Sequence, residues 1–135
     1  MKLSVCNIAW TADDDAEMYE KLQKQGMDGI EIAPTRIFPE APYEHLDEAH
    51  EFAEQIKKDY GLSVVSMQSI WYRRSEMLFG SEAERQTLLA YTKGAIDFAK
   101  AVGCPNLVFG SPKNRVTHGT DCHDAAVDFF RELGN

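Results

Sequence analysis

The sequence predicts an α/β fold of four parallel βα units, half of an eight-unit barrel. Three observations predict it. Short β-branched or aromatic-bearing runs recur at residues 3–9, 29–33, 62–68 and 106–110, each followed by a helical pattern. Strands alternating with helices imply a parallel sheet. The connections at 34–43, 69–80 and 111–120 are long and follow strand carboxyl ends, whereas the returns are little more than a glycine and its neighbours. A complete (β/α)8 (TIM) barrel takes about 250 residues, so a chain of 135 accommodates about four of its units. One domain over residues 1–135 is expected, with no flexible linker.

Taken in order, the first helix is expected from Thr11 as cap, with Asp13, Asp14 and Asp15 in its first turn facing the positive end of the macrodipole. Gly26 supplies its left-handed stop. The second helix is carried by an apolar stripe of Leu46, Ala49, Phe52, Ala53 and Ile56 and ends at Gly61. Ser81 and Glu84 have capping-box spacing and start a third helix, which runs to Gly103 with Pro105 as stop signal. Asp121 is the expected cap of a fourth helix containing Ala125, Ala126, Phe129 and Phe130 and closing at Gly134.

The composition narrows the function. A hydrophobic share of 44% with 27% charged residues suits an ordinary globular core. The net charge of −8 disfavours nucleic acid, whose binding rests on Lys and Arg contacts to phosphate. No apolar run reaches the roughly 20 residues of a membrane span, and the amino terminus lacks signal-peptide features, so no membrane partner and a cytoplasmic location are expected. The three cysteines, Cys6, Cys104 and Cys122, lack CxxC spacing and read as structural thiols. His118, Cys122 and His123 cluster near a helix start, but no fourth ligand has matching spacing, and no metal site is assigned.

Side-chain alternation then selects candidate binding groups. In GIEIAP, Ile30 and Ile32 share the helix-facing side and Glu31 points into the barrel mouth, to grip substrate hydroxyls or to pair with Arg36. In LSVVSMQS, Ser66 and Gln68 lie opposite Val65 and Met67, and Gln68 suits orienting a polyol or satisfying a loop. Trp71, Tyr72, Arg73 and Arg74 form a loop that covers a ligand or is simply tethered to the surface. Gly110, Ser111, Lys113 and Arg115 together suit a phosphate or carboxylate. Asn7, the one amide in its strand, lines the site or ties two strands together.

With DGIEIAP, SMQS and LVFGSPKNR at its strand ends, the chain resembles the amino-terminal half of the xylose-isomerase-like barrels, the sugar phosphate isomerases and epimerases. That resemblance implies metal-assisted proton transfer beside a sugar carbonyl, with a divalent Mn, Mg, Zn or Co ion in the full-length family. The family's metal ligands lie on later strands, so no cofactor and no catalytic residue is expected in this chain. The implied contacts to a sugar or sugar phosphate are Glu31, Gln68, Ser111, Lys113 and Arg115. A chain of this kind is expected to be inactive alone. The alternative is a non-catalytic half-barrel that self-associates through its open sheet edges. Apurinic endonucleases are also similar but carry histidines where this chain has Gln68-Ser69 and Gly110-Ser111.

Overall fold

The computed structural model describes residues 2–117 and 122–134. It is a mixed α/β structure with a three-stranded parallel sheet in the order β1 (Ser4–Cys6), β2 (Gly29–Ile32), β3 (Ser63–Met67). Five helices accompany it: α1 (Asp15–Lys24), the short α2 (Pro34–Ile37), α3 (Leu46–Tyr60), α4 (Glu82–Ala101) and α5 (His123–Leu133). No helix among the described residues is long and apolar enough to cross a membrane.

The first and fourth expected strands are shorter than the sequence suggests. The first ends at Cys6, because Asn7–Ala9 coil into a 3-10 turn. The run 106–110 forms no strand and makes a single parallel bridge, Met67 to Leu107, closed by Met67 N–H to Asn106 O (2.9 Å) and Val108 N–H to Met67 O (2.8 Å). With a partner on one side only, the fourth run has half of the hydrogen bonds that would hold it extended. The four-unit expectation is thus corrected to three strands and one bridge. The position of that bridge is nevertheless diagnostic. A doubly wound sheet whose first three strands lie in this order, as in 3-2-1-4-5-6, would send the fourth segment back beside β1. Here it continues outward beside β3, as in part of a singly wound α/β barrel.

The core lies between sheet and helices. Ile30, Ile32, Leu62 and Met67 are fully buried and meet Ala49 and Ile56 from α3 and Leu88, Ala95 and Phe98 from α4. Neighbouring helices touch in chain order, α1 on α3, α3 on α4 and α4 on α5. The Ser81 hydroxyl accepts from the Glu84 amide while the Glu84 carboxylate accepts from Ser81 N–H, the full capping box. Thr11 does not cap a backbone amide: its hydroxyl donates to the Asp14 carboxylate, and its carbonyl starts the 3-10 turn Ala12–Asp14. Asp121, the expected cap of α5, lies outside the described residues. Phe129 is buried in that helix, but Phe130 is 48% exposed.

The alternation in β3 breaks at a bulge. Ile30 pairs with Val64 and Glu31 with Ser66, so Val65 is an extra residue. Val65 Cγ1 lies 2.7 Å from where a Cβ on Gly29 would stand, and Ser63 O lies 2.3 Å from it, so only glycine fits there. The expected opposition of Val65 to Ser66 is corrected accordingly: Val65 covers Gly29, and Ser66 keeps register with Glu31.

Candidate functional site

The two ends of the sheet differ in backbone chemistry. At the return loops the left-handed positions are glycines, Gly26, Gly61 and Gly103. At the strand carboxyl ends they are Ala41, Ser69, Arg73 and Ser111. A non-glycine residue in this region costs about 1 to 2 kcal/mol, and such strain persists only where surrounding contacts impose it. The strain is therefore concentrated on one face, the face carrying the long loops.

Three side chains, Asn7 and Asn114 buried and Tyr43 partly buried, impose it by joining each loop to the next. The fully buried Asn7 accepts the Ala33 amide on its Oδ1 at 3.0 Å, tying the end of β1 to the end of β2. Tyr43 donates its hydroxyl to the Ile70 carbonyl at 2.7 Å, tying the loop after β2 to the loop after β3. Burial, with Tyr91 beside it, pushes the Tyr43 phenol well above its ordinary range and keeps it a donor. Asn114, 1% exposed, donates its Nδ2 to the carbonyls of Glu76 (2.8 Å) and Arg74 (3.2 Å) and accepts from the Ser111 hydroxyl. Its backbone carbonyl accepts from Leu78 N–H at 2.8 Å.

The predicted residues fall into two groups. Cys6, Glu31 and Ser66 share one row across the sheet. Gln68 reaches across β2 into that row, donating Nε2 to Cys6 Sγ at 3.0 Å and accepting from the Ser69 hydroxyl at 3.1 Å. Gln68 thus bonds the residue that is the register partner of Glu31. Ser111, Lys113 and Arg115 belong to the 3-10 turn Pro112–Arg115, separate from that row. Ser111 is engaged with Asn114, Lys113 is exposed, and the Arg115 guanidinium lies 5.7 Å from the Phe109 ring centre with its Nε buried.

The expected pairing of Glu31 with Arg36 is replaced. Arg36 grips Asp15 through both terminal nitrogens (2.6 and 3.0 Å), and Trp10 Nε1 donates to the same carboxylate at 2.7 Å. Asp15 therefore braces the loop after β2 as well as beginning α1. No hydrogen bond or ion pair reaches Glu31 among the described residues, so its carboxylate is available to a ligand.

Beside this row lies a groove of about 510 Å³ lined by Ile8, Trp10, Thr35, Arg36, Tyr72 and Arg73. Of the aromatic and basic loop, only Tyr72 and Arg73 face it. Trp71 is 1% exposed, donates to Thr92 Oγ1 at 2.8 Å and packs against Phe109, which makes it a core anchor. Arg74 is held by Glu76 and lies 4.8 Å from the Tyr91 ring centre. Trp10 and Thr35 carried no signal in the sequence, because neither spacing nor alternation relates them to the groove.

No three His, Cys, Asp or Glu side chains converge to hold a metal ion among the described residues, and His118 lies outside them. The divalent ion implied by the family resemblance therefore has no fitting donor set there. Cys104 is buried, and burial first, then the nearby Glu31 charge, pushes its thiol up, as befits an inert core thiol.

Parallel strands wound in one direction, with a groove and strained loops at their carboxyl ends, are consistent with a partial α/β barrel-like fold. No protein-family model and no curated protein matches the chain. Among solved structures it is similar to apo 3-keto-D-glucoside 4-epimerase, YcjR, from E. coli, with a TM-score of 0.63 and 18% identity. The match covers 98% of this chain and 50% of that one, so the chain spans about half the length of the solved epimerase. At this identity the likeness establishes the fold.

The Asp15 site has a pH signature. Burial raises the Asp15 pKa, but hydrogen bonds from Arg36 and Trp10 and the Arg36 charge outweigh it, leaving it below the ordinary 3.8. A carboxyl depressed in the folded state stabilises above its unfolded pKa and loses that contribution as pH falls through the folded value. Urea unfolding from pH 6 to pH 2.5 should show Asp15→Asn less stable than wild type at pH 6, with the difference shrinking below about pH 4. A pH-independent difference would refute the pairing.

Proposed function

We propose that this chain is the sugar-binding half of an isomerase- or epimerase-like barrel acting on a sugar or sugar phosphate. The observation that carries the reading is the hydrogen bond from Gln68 to Cys6, the register partner of Glu31, at the strand ends of a fold similar to that of a sugar epimerase. The Glu31 carboxylate accepts from sugar hydroxyls, and Gln68 keeps one amide N–H for a ring or carbonyl oxygen. Ser111, Lys113 and Arg115 border the same face and meet the more distant end of the substrate. Proton transfer beside the carbonyl, and the divalent metal of the full-length family, belong to a complementary half, so the chain alone binds without turnover.

A titration of the 135-residue chain with ketoses, followed by backbone amide shifts, tests this. Residues around Glu31 and Gln68 should shift saturably, and Glu31→Gln should weaken binding about tenfold, as for loss of a charged hydrogen-bond acceptor. Shifts confined to the outer helices, or none, would refute the reading.

The free edges favour a second feature of the same proposal. Leu3 is 43% exposed beside β1, and Val108 and Phe130 are 44% and 48% exposed at the other edge. Among the described residues β1 pairs only with β2, and the run at 106–110 bridges only β3. Both edges pair with another half-barrel. Sedimentation at micromolar concentration should show a dimer or larger species, and a strictly monomeric folded chain would contradict the association.

A further inference from the structure

The groove beside the Glu31 row has a charge unlike that of the molecule. The protein has 22 Asp and Glu residues and a net charge of −8, yet no carboxylate among the described residues lines this groove. Its two cations are not equivalent. Arg36 is balanced by Asp15, with side chains only 16% and 30% exposed. Arg73 has only Glu40 near it, at 3.8 Å, and both side chains lie mostly in water. An exposed pair of that kind is worth less than about 1 kcal/mol, so the Arg73 guanidinium is available.

The fold also fixes where Arg73 stands. It sits in the left-handed region at φ 64°, between a buried, hydrogen-bonded Trp71 and an Arg74 held by Glu76. Turns closed by Tyr72 N–H to Ser69 O (2.9 Å) and Arg74 N–H to Trp71 O (3.0 Å) bracket it. Its guanidinium lies 5.5 Å from the Tyr72 ring centre, which keeps charge and ring together at the groove edge. The Trp10 indole N–H is taken by Asp15, so its ring offers the groove an apolar wall. Thr35 adds a hydroxyl that no described residue engages.

A planar five-donor fork beside aromatic walls matches a ligand that is ring-shaped at one end and carries a phosphate or carboxylate at the other. We infer that this groove is a subsite for an anionic monosaccharide, with Arg73 holding its phosphate ester or carboxylate and Tyr72 and Trp10 meeting the ring. The inference rests on the sugar-binding reading and adds charge selectivity to it. It also puts the anion on Arg73, whereas sequence reasoning put it on Lys113 and Arg115.

Calorimetric titration of the full chain at low ionic strength with glucose 6-phosphate, glucuronate, glucose and inorganic phosphate tests it. At least one anionic sugar should bind about tenfold or more tightly than glucose, and the tighter of the two assigns the group as ester or carboxylate. Its affinity should fall between 20 and 200 mM salt while that of glucose stays level. Arg73→Gly, which tolerates the left-handed backbone and lacks the guanidinium, should abolish the preference, so that the anionic sugar binds no more tightly than glucose. An unchanged preference in Arg73→Gly would overturn the inference, as would inorganic phosphate binding as tightly as the ester. Glucose binding without anion preference would sink the inference and spare the sugar reading, whereas binding of none of the sugars would overturn both.

Discussion

The strand-end face depends on one constraint: the backbone of its loops must find hydrogen-bond partners that no sheet or helix supplies. Asn7, Tyr43 and Asn114 supply them, each joining one loop to the next around the sheet. A buried amide or phenol left without its carbonyl or N–H partner costs about 1 to 3 kcal/mol, so docking of neighbouring loops is coupled in both directions. This coupling holds Ala41, Ser69, Arg73 and Ser111 in backbone conformations they would otherwise leave. At the opposite end glycines make the turns, and the side chains that join neighbouring segments there are exposed, as where the Asp28 carboxylate accepts the Leu3 N–H at 2.7 Å.

Seen from the sheet, the same constraint separates a rigid row from a projecting rim. Glu31 and Ser66 stand on β2 and β3, where register fixes their positions to the spacing of neighbouring strands, and Gln68 follows β3 directly with its N–H bonded to Ile32 O. Tyr72 and Arg73 stand on a loop whose flanks are buried and whose tip is exposed. A site built in this way combines a fixed polar floor with a charged edge, and both face the end of the sheet where α/β barrels place their ligands.

Local patterns made much of the fold legible. The capping box of α4, the glycine stops and most of the α3 stripe are written within a few residues of the features they cause, whereas Leu46, at the start of that stripe, is 38% exposed. Features that depend on distant partners were not legible. The bulge at Val65 follows from the space over Gly29, the weak fourth strand from its missing neighbour, and the capture of Arg36 by Asp15 from two elements meeting in space. At the site, alternation at strand ends points to Glu31 and Gln68, and the bond from Gln68 to Cys6, the register partner of Glu31, appears only with the strands side by side. The role of Asn114 was hidden, because a buried amide in a polar loop looks like any exposed one until its carbonyl partners from residues 74 and 76 are in place.

The most direct test of this account is native-state hydrogen exchange on the chain and its Asn114→Ala variant. In the wild type the Leu78 amide, bonded to the Asn114 carbonyl, should be protected to a degree approaching that of the Gln68 amide, which bonds Ile32 O at the end of the sheet. In the variant, Leu78 and the amides of Tyr72 and Arg74 should lose protection while Gln68 keeps it. Free exchange at Leu78 in the wild type, or an even loss of protection across sheet and loops in the variant, would contradict the claim that buried side chains lock the strand-end face loop by loop.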